Sequence, residues 1–268
     1  MPFVNNYTLG RGKVYFARRD PITGILGGFR YFGNTPEANL TAEEEKLEHY
    51  SSDFGVRVKD ATVTLQVNYT GTLICDSIDA ANVALFFLGE SAMITNAQVT
   101  VTSEVVTTDA EVGMFYQLGV GPSRKSGAKG IIFPGSSGTV FSMKIQGEVG
   151  NLAHGTDYVL NAATGRVEIL EGGTVTNGDA LEATYTIAAS TREQVISGAT
   201  AIEGALYYES ANPRGKQNDA TMWSVTLSPN GDFALKSDEW QQIPFNLDVT
   251  KRDDDTPAIM WDTRPVIS

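Results

Sequence analysis

The residues that could do chemistry in this sequence are few and widely spaced. His49 and His154 are its two histidines, and neither lies near the cysteine or in a His-x-x-x-His spacing, which argues against a zinc site. A Ser-His-Asp arrangement with partners distant in sequence stays open, but no Gly-x-Ser-x-Gly elbow is present. Gly121 to Gly130 has the glycines of a phosphate-binding loop without its chemistry. Ala128 separates Gly127 from Lys129, and Gly130 stands where Ser or Thr would hold magnesium. Arg124, Lys125 and Lys129 read instead as an exposed basic loop that could meet an acidic surface of another subunit. Asp253, Asp254 and Asp255 are adjacent, so they lack the alternating spacing and terminal Glu of a calcium loop and read as a solvated acidic turn, as do Glu43 to Glu45. Cys75 sits before an apolar helical stretch, and the neighbouring Asp76 disfavours a thiolate, so it reads as core. These residues imply no catalytic group, no metal and no cofactor.

The elements that would position them are mostly strands. A chain of 268 residues can bury a substantial core, and its 27 glycines, frequent Thr and Val, and closely spaced turn signals point to a mainly β protein. A single cysteine rules out an internal disulfide framework. Lys and Arg number 20 against 32 Asp and Glu, and 20 − 32 = −12 disfavours any role that needs a tight, nonspecific grip on nucleic-acid phosphates. Met1 to Gly12 carries no apolar run of signal-peptide length, and no stretch is long and apolar enough for a membrane helix. The expectation is a protein that folds in a reducing cytoplasm and does not enter a membrane.

Along the chain, Phe3 to Gly12 reads as an arm. Val14 to Phe16 and Phe29 to Phe32 read as paired strands. Thr41 to His49 is either a helical turn or two, opened by Thr41 and Glu44 as a capping box, or a mobile acidic loop. Ala61 to Thr70 alternates strictly: Val63, Leu65, Val67 and Tyr69 on one parity, Thr62, Thr64, Gln66 and Asn68 on the other. The polar parity is uncharged, the apolar parity is expected in the core, and Gly71 is expected to mark a bulge or bend. A helix of about three turns should follow, capped by Asp76 or Ser77, packing Ile78, Ala81, Leu85 and Leu88, and stopped by Gly89. Phe86 is expected in the core with Leu85. Val99 and Val101 alternate with Thr100 and Thr102 in a further strand. From about Lys129 a compact β unit is expected, with strands at Thr139 to Ile145, Asp157 to Leu160, Arg166 to Leu170 and Leu181 to Ile187. The return leg runs from Ala205 through Met222 to Leu227, a turn with Asn230 and Gly231, a strand at Phe233 to Leu235, and Ile243 to Val249.

The phrase LEHYSSDFGVRVKDATVTLQVNYTGTLICDSIDAANVALFFLGE, from Leu47 to Glu90, resembles the major tail tube proteins of long-tailed, siphovirus-like bacteriophages. GRGKVYF, from Gly10 to Phe16, looks like that family's first strand, and Ala205 to Trp261, with SPNGDFAL near its middle, like its closing strands. The resemblance covers roughly half the chain and none of its motifs is catalytic. It implies a tail-tube type β-barrel or sandwich with one flanking helix, formed by residues 1–118 and 199–268, and a small inserted β-sandwich-like module at 119–198 on the outer surface.

By the same resemblance, the chain is a structural virion protein, not an enzyme, made in the host bacterial cytoplasm and carried in the virion tail. Subunits would close into stacked, hexameric rings whose lumen passes genomic DNA during ejection, and would meet the tail tip, tape measure and tail terminator proteins. Thr62, Thr64, Gln66 and Asn68, then Thr100, Thr102 and Glu104, are the candidates for the lumen wall, where weak hydrogen bonds and mild repulsion of phosphate let DNA slide. Their other reading is an ordinary solvent face. Contacts between subunits and rings would fall to Glu43, Glu44, Glu45, His49, Asp53, Arg57 and Lys59 in a polar loop, and to Arg11 and Trp261 in the arms. An insert that a sheath would crowd favours a non-contractile tail. The rival readings are a carbohydrate-binding or adhesin module using Trp223, Trp240 and Trp261, a hydrolase with a carboxylate pocket, and a phage decoration or baseplate protein.

Overall fold

The computed structural model describes residues 7–53, 55–133 and 140–265. Its strands, in chain order, are β1 (Gly12–Arg18), β2 (Arg30–Tyr31), β3 (Glu37–Ser51), β4 (Val58–Cys75), β5 (Glu90–Asn96), β6 (Val99–Thr107), β7 (Phe115–Gln117) and β8 (Phe141–Ile145). They continue with β9 (Tyr158–Asn161), β10 (Arg166–Ile169), β11 (Leu181–Ile187), β12 (Ser190–Ile196), β13 (Ile202–Ser210), β14 (Asn218–Pro229), β15 (Ile243–Val249) and β16 (Met260–Thr263). The one helix among the described residues, α1, spans Ala80–Phe86. The protein is therefore mainly β, and among the described residues no sheet closes on itself.

Two compact units share the chain. The first comprises Met1–Ala92 and Glu193–Ser268, the second Met93–Arg192. The second unit starts at Met93 and not at Gly119, because β6 pairs with β11 and β7 with β10, and both partners lie deep in that unit. The borders fall within β5 and β12, which pair with each other.

The first unit is one sheet in the order β2-β1-β13-β14-β15-β4-β3, with β16 beside β14. Every pairing in it is antiparallel. Alternation decides which face is buried: in β1, Val14 and Phe16 go inward while Tyr15 faces out, and in β15, Ile243, Phe245, Leu247 and Val249 all go inward. Phe32, Leu73, Phe245 and Ile243 are fully buried at the centre of this core, where the Phe32 and Phe245 rings meet edge to face at 5.5 Å. Burial of each such ring contributes about 2–3 kcal/mol.

Helix α1 caps one end of that core through Leu85 and Phe86, as expected. Its details differ. The helix has seven residues, and its N-cap is Asp79, whose carboxylate accepts from the Asn82 amide at 2.7 Å. Ile78 is left exposed, and the helix buries Asn82, Ala84, Leu85 and Phe86. The left-handed residue after the helix is Leu88, at φ 52°, and not Gly89. Gly89 is required for another reason: a Cβ there would stand 1.9 Å from the Ile196 carbonyl oxygen.

The second unit holds two three-stranded sheets, β7-β10-β9 and β6-β11-β8, around Met143, Tyr185, Leu181 and Ile169. The strand expected at Thr139 to Ile145 appears as β8, with Thr139 outside the described residues. No strand forms at Phe233 to Leu235; the chain from Asn230 to Gln242 is irregular, and Leu235 and Trp240 are exposed there. Of the arm at Phe3 to Gly12, residues 3–6 lie outside the described residues, while Leu9 donates its amide to the Arg214 carbonyl at 3.1 Å.

Candidate functional site

The segment Thr41 to His49 is neither helix nor loop. It is the middle of β3, which pairs with β4 continuously from Glu37 opposite Ile74 to Ser51 opposite Val58. A capping box is a weak local signal, and fifteen residues of ladder with a β-branched partner strand override it. The polar loop expected from Thr41 to Asp60 is thus a two-stranded ribbon with a turn holding Asp53 and Arg57. Arg57 lies over the Tyr50 ring at 5.5 Å.

The ribbon leaves the core behind. Gly71, Leu73 and Cys75 of β4 are buried, but every residue from Val58 to Asn68 is exposed. Val63 and Leu65 are each 59% exposed and Val67 45%, so the apolar parity of this strand is not core. The reason is topological: β15 ends opposite Tyr69, and beyond it β4 has only β3 for a neighbour. Gly71 is in regular register, not a bulge; it is glycine because a Cβ would lie 2.3 Å from the Asn39 carbonyl oxygen.

The bulges fall elsewhere and change which residues share a face. Glu45 opposes Gln66 and Lys46 opposes Thr64, leaving Leu65 unpaired; His49 opposes Ala61 and Tyr50 opposes Lys59, leaving Asp60 unpaired. Cross-strand partners share a face. Gln66 and Asn68 therefore lie with Glu45 and Glu43, while Thr64 and Thr62 lie with Lys46 and Glu48. The expected continuous wall of Thr62, Thr64, Gln66 and Asn68 is split between two faces.

The two faces also differ electrostatically. On one, Lys46 pairs with Glu44 at 2.8 Å and Lys59 pairs with Glu48, which also accepts from the Tyr50 hydroxyl. Hydrogen bonds from these lysines hold Glu44 and Glu48 below the usual carboxylate range. On the other, Leu47 and Val63 stand opposite one another, with Glu43 and Glu45 beside them and no ion pair to either carboxylate among the described residues. His49 Nδ1 lies 2.5 Å from the Asp60 carboxylate.

The remaining expected site residues belong to other elements. Thr100, Thr102 and Glu104 belong to β6 in the second unit, so they form no common strand with Thr62 to Asn68. Thr100 shares a hydrogen bond with Thr186 at 3.0 Å, and the register shift opposite Ala183 and Tyr185, with Ser103 at φ 48°, breaks the alternation at Thr102. Glu104 is no free wall carboxylate: it accepts from the Gly119 amide at 2.8 Å and from the buried Tyr185 hydroxyl. Burial and that bond push the Tyr185 hydroxyl far up. Arg11 and Trp261 are brought together at the rim of a cavity of about 680 Å³, floored by Val14, Leu73, Leu206 and Met222.

Sequence reasoning missed one surface. Tyr15, Phe29, Tyr31, Tyr207 and Trp223 cluster on the outward face of β1, β13 and β14, with ring centroids 5.7–6.2 Å apart. Its signal was the parity of Tyr15 against Val14 and Phe16. Among the described residues, no three His, Cys, Asp or Glu side chains gather as a metal ion requires, and no helix is long and apolar enough to cross a membrane.

Fold and site thus define a two-unit, mainly β protein with an exposed antiparallel ribbon at one end of its larger sheet. The chain belongs to the family described as Protein of unknown function UCP028589, whose model matches residues 7–258. No curated protein matches it.

Proposed function

We propose that this chain is a structural subunit that assembles with copies of itself, and that the assembly is the tail tube of a siphovirus-like bacteriophage. The observation that carries the self-assembly reading is the β3–β4 ribbon: two long strands, solvated on both faces, that expose Leu47, Val63, Leu65 and Val67. A lone two-stranded ribbon is marginal in water, and an open edge fifteen residues long is a template for another chain. Exposed apolar side chains in such a ribbon mark a surface that is covered in the working state. The tail-tube assignment rests on the sequence resemblance. Under it the first unit is the tube domain and the second the outer module, with rings stacking around a lumen through which DNA passes.

In that setting the subunit works by geometry and charge. Carboxylates and short polar side chains on a chain of net charge −12 repel phosphate mildly, so DNA passes without being held. The partners are further copies, the tail tip, tape measure and terminator proteins, and the site is the virion tail after synthesis in the bacterial cytoplasm. Electron microscopy of the purified protein at high concentration tests this reading. Rings or tubes with an axial channel are expected; a monomer at every concentration overturns it.

A further inference from the structure

We propose that the aromatic groove on the outward face of β1, β13 and β14 is the seat of the β3–β4 ribbon from a second copy of this chain, entered by Leu47 and Val63. The inference rests on the assembly reading above and names the surface that receives the ribbon. Tyr15, Phe29, Tyr207 and Trp223 line an opening of about 500 Å³ with Glu209 and Thr221. Phe29 and Tyr31 are 42% and 46% exposed, so the groove is open to a partner.

Its chemistry suits an apolar side chain better than a sugar. A sugar needs free hydrogen-bonding groups beside a ring face, and here Glu209 and the Tyr15 and Tyr207 hydroxyls already have partners. Glu209 accepts from the Tyr15 hydroxyl at 3.0 Å and pairs with Arg264, while the Tyr207 hydroxyl donates to Asp219 at 3.2 Å. The rings meet at interplanar angles of 38–64°, so they form walls and not one flat platform. Cations cover two of them: Lys13 Nζ lies 5.9 Å from the Tyr31 centroid and Arg252 lies 6.0 Å from that of Trp223.

The ribbon carries the complement. Leu47 is 60% exposed, Val63 stands opposite it, and Glu43 and Glu45 on the same face lack ion pairs among the described residues, as does Lys13. An apolar pair flanked by carboxylates meets an aromatic groove with the ammonium of Lys13 at its edge, the second cation, Arg252, being already bonded to Asp253 at 2.9 Å. The ribbon (β3 and β4) and the groove (β1, β13 and β14) are different surfaces on different strands of the sheet, so the contact is head-to-tail, the type that closes rings or propagates filaments.

The test mixes two full-length variants, Leu47→Cys and Phe29→Cys, with a short bismaleimide. Cys75 stays silent because it is buried and its thiol is pushed up to about 11. A cross-linked dimer is expected from the mixture and from neither variant alone. Adding Glu43→Lys to the Leu47→Cys chain should cut its yield by about tenfold or more, since like charges across an interface cost over a kcal/mol. Adding Lys13→Glu to the other chain should restore it. Thr221→Cys serves as the groove thiol should Phe29→Cys lower the melting temperature. No mixed dimer while the unsubstituted protein forms rings or tubes overturns the groove and leaves the assembly reading standing; an unsubstituted protein that stays monomeric overturns both.

Discussion

Asp219 of β14 joins β13 to the residue that follows β16 at one carboxylate. Arg264 grips it through two bonds of 2.7 Å each, the Ser210 amide donates to it at 2.8 Å, and the Tyr207 hydroxyl donates at 3.2 Å. The Arg264 bonds hold its pKa below the ordinary value of 3.8. A carboxyl depressed in the folded state stabilises the fold above its unfolded value, and that contribution is lost as pH falls through the folded value. Asp219→Asn should therefore cost about 2 kcal/mol at neutral pH, the worth of a charge-assisted bond. The gap to the parent protein should close as pH is lowered below 3.8. Chemical denaturation from pH 7 to pH 2 measures it, and a gap that stays constant across that range would refute the assignment of the stabilisation to the ionised form.

At the scale of elements, the ribbon makes a sharp distinction between folding and assembly. Val63 and Leu65 are exposed and away from the core, so Val63→Asp with Leu65→Asp should leave the folded monomer within about 0.5 kcal/mol of the parent, as surface changes do. The same pair should abolish rings or tubes. Thermal unfolding beside sedimentation velocity separates the two, and loss of the folded monomer would show that the ribbon supports the core. Alternation alone had suggested the opposite for these residues. The pattern correctly placed Tyr69 against the core, because there a neighbouring strand covers the sheet. It could not report where β15 ends, and that endpoint decides whether an apolar parity is buried. Nor could it locate the bulge at Leu65, which depends on pairing with β3 and moves Gln66 and Asn68 to the face opposite Thr62 and Thr64. The strands Ile243–Val249 and Leu181–Ile187 were legible residue for residue, since both are short, strongly alternating and flanked by turn or loop signals. β3 was not, since a run of Glu has no strand propensity of its own and is held extended by its partner.

At the scale of the molecule, the two units have separate cores, and no residue is common to both buried clusters. Sequence texture drew the border at the glycine-rich segment after Gly119, whereas the pairing of β6 with β11 draws it at Met93. The difference decides how the molecule can be cut. Removing residues 129–197 would take β11 away from β6 and β10 away from β7, stranding apolar side chains such as Val101 and Leu118 that pack in the second core. Removing residues 93–192 and joining the ends with a short flexible linker takes out one whole unit and leaves every strand of the large sheet with its neighbours. The shorter chain is expected to unfold in a single cooperative transition and to retain ring or tube formation, because the ribbon and the aromatic groove both lie in the unit that remains. The 129–197 deletion is expected to expose apolar surface and aggregate. Calorimetry and microscopy on the two chains decide it: a 93–192 deletion that folds but no longer assembles would move the assembly surface into the second unit.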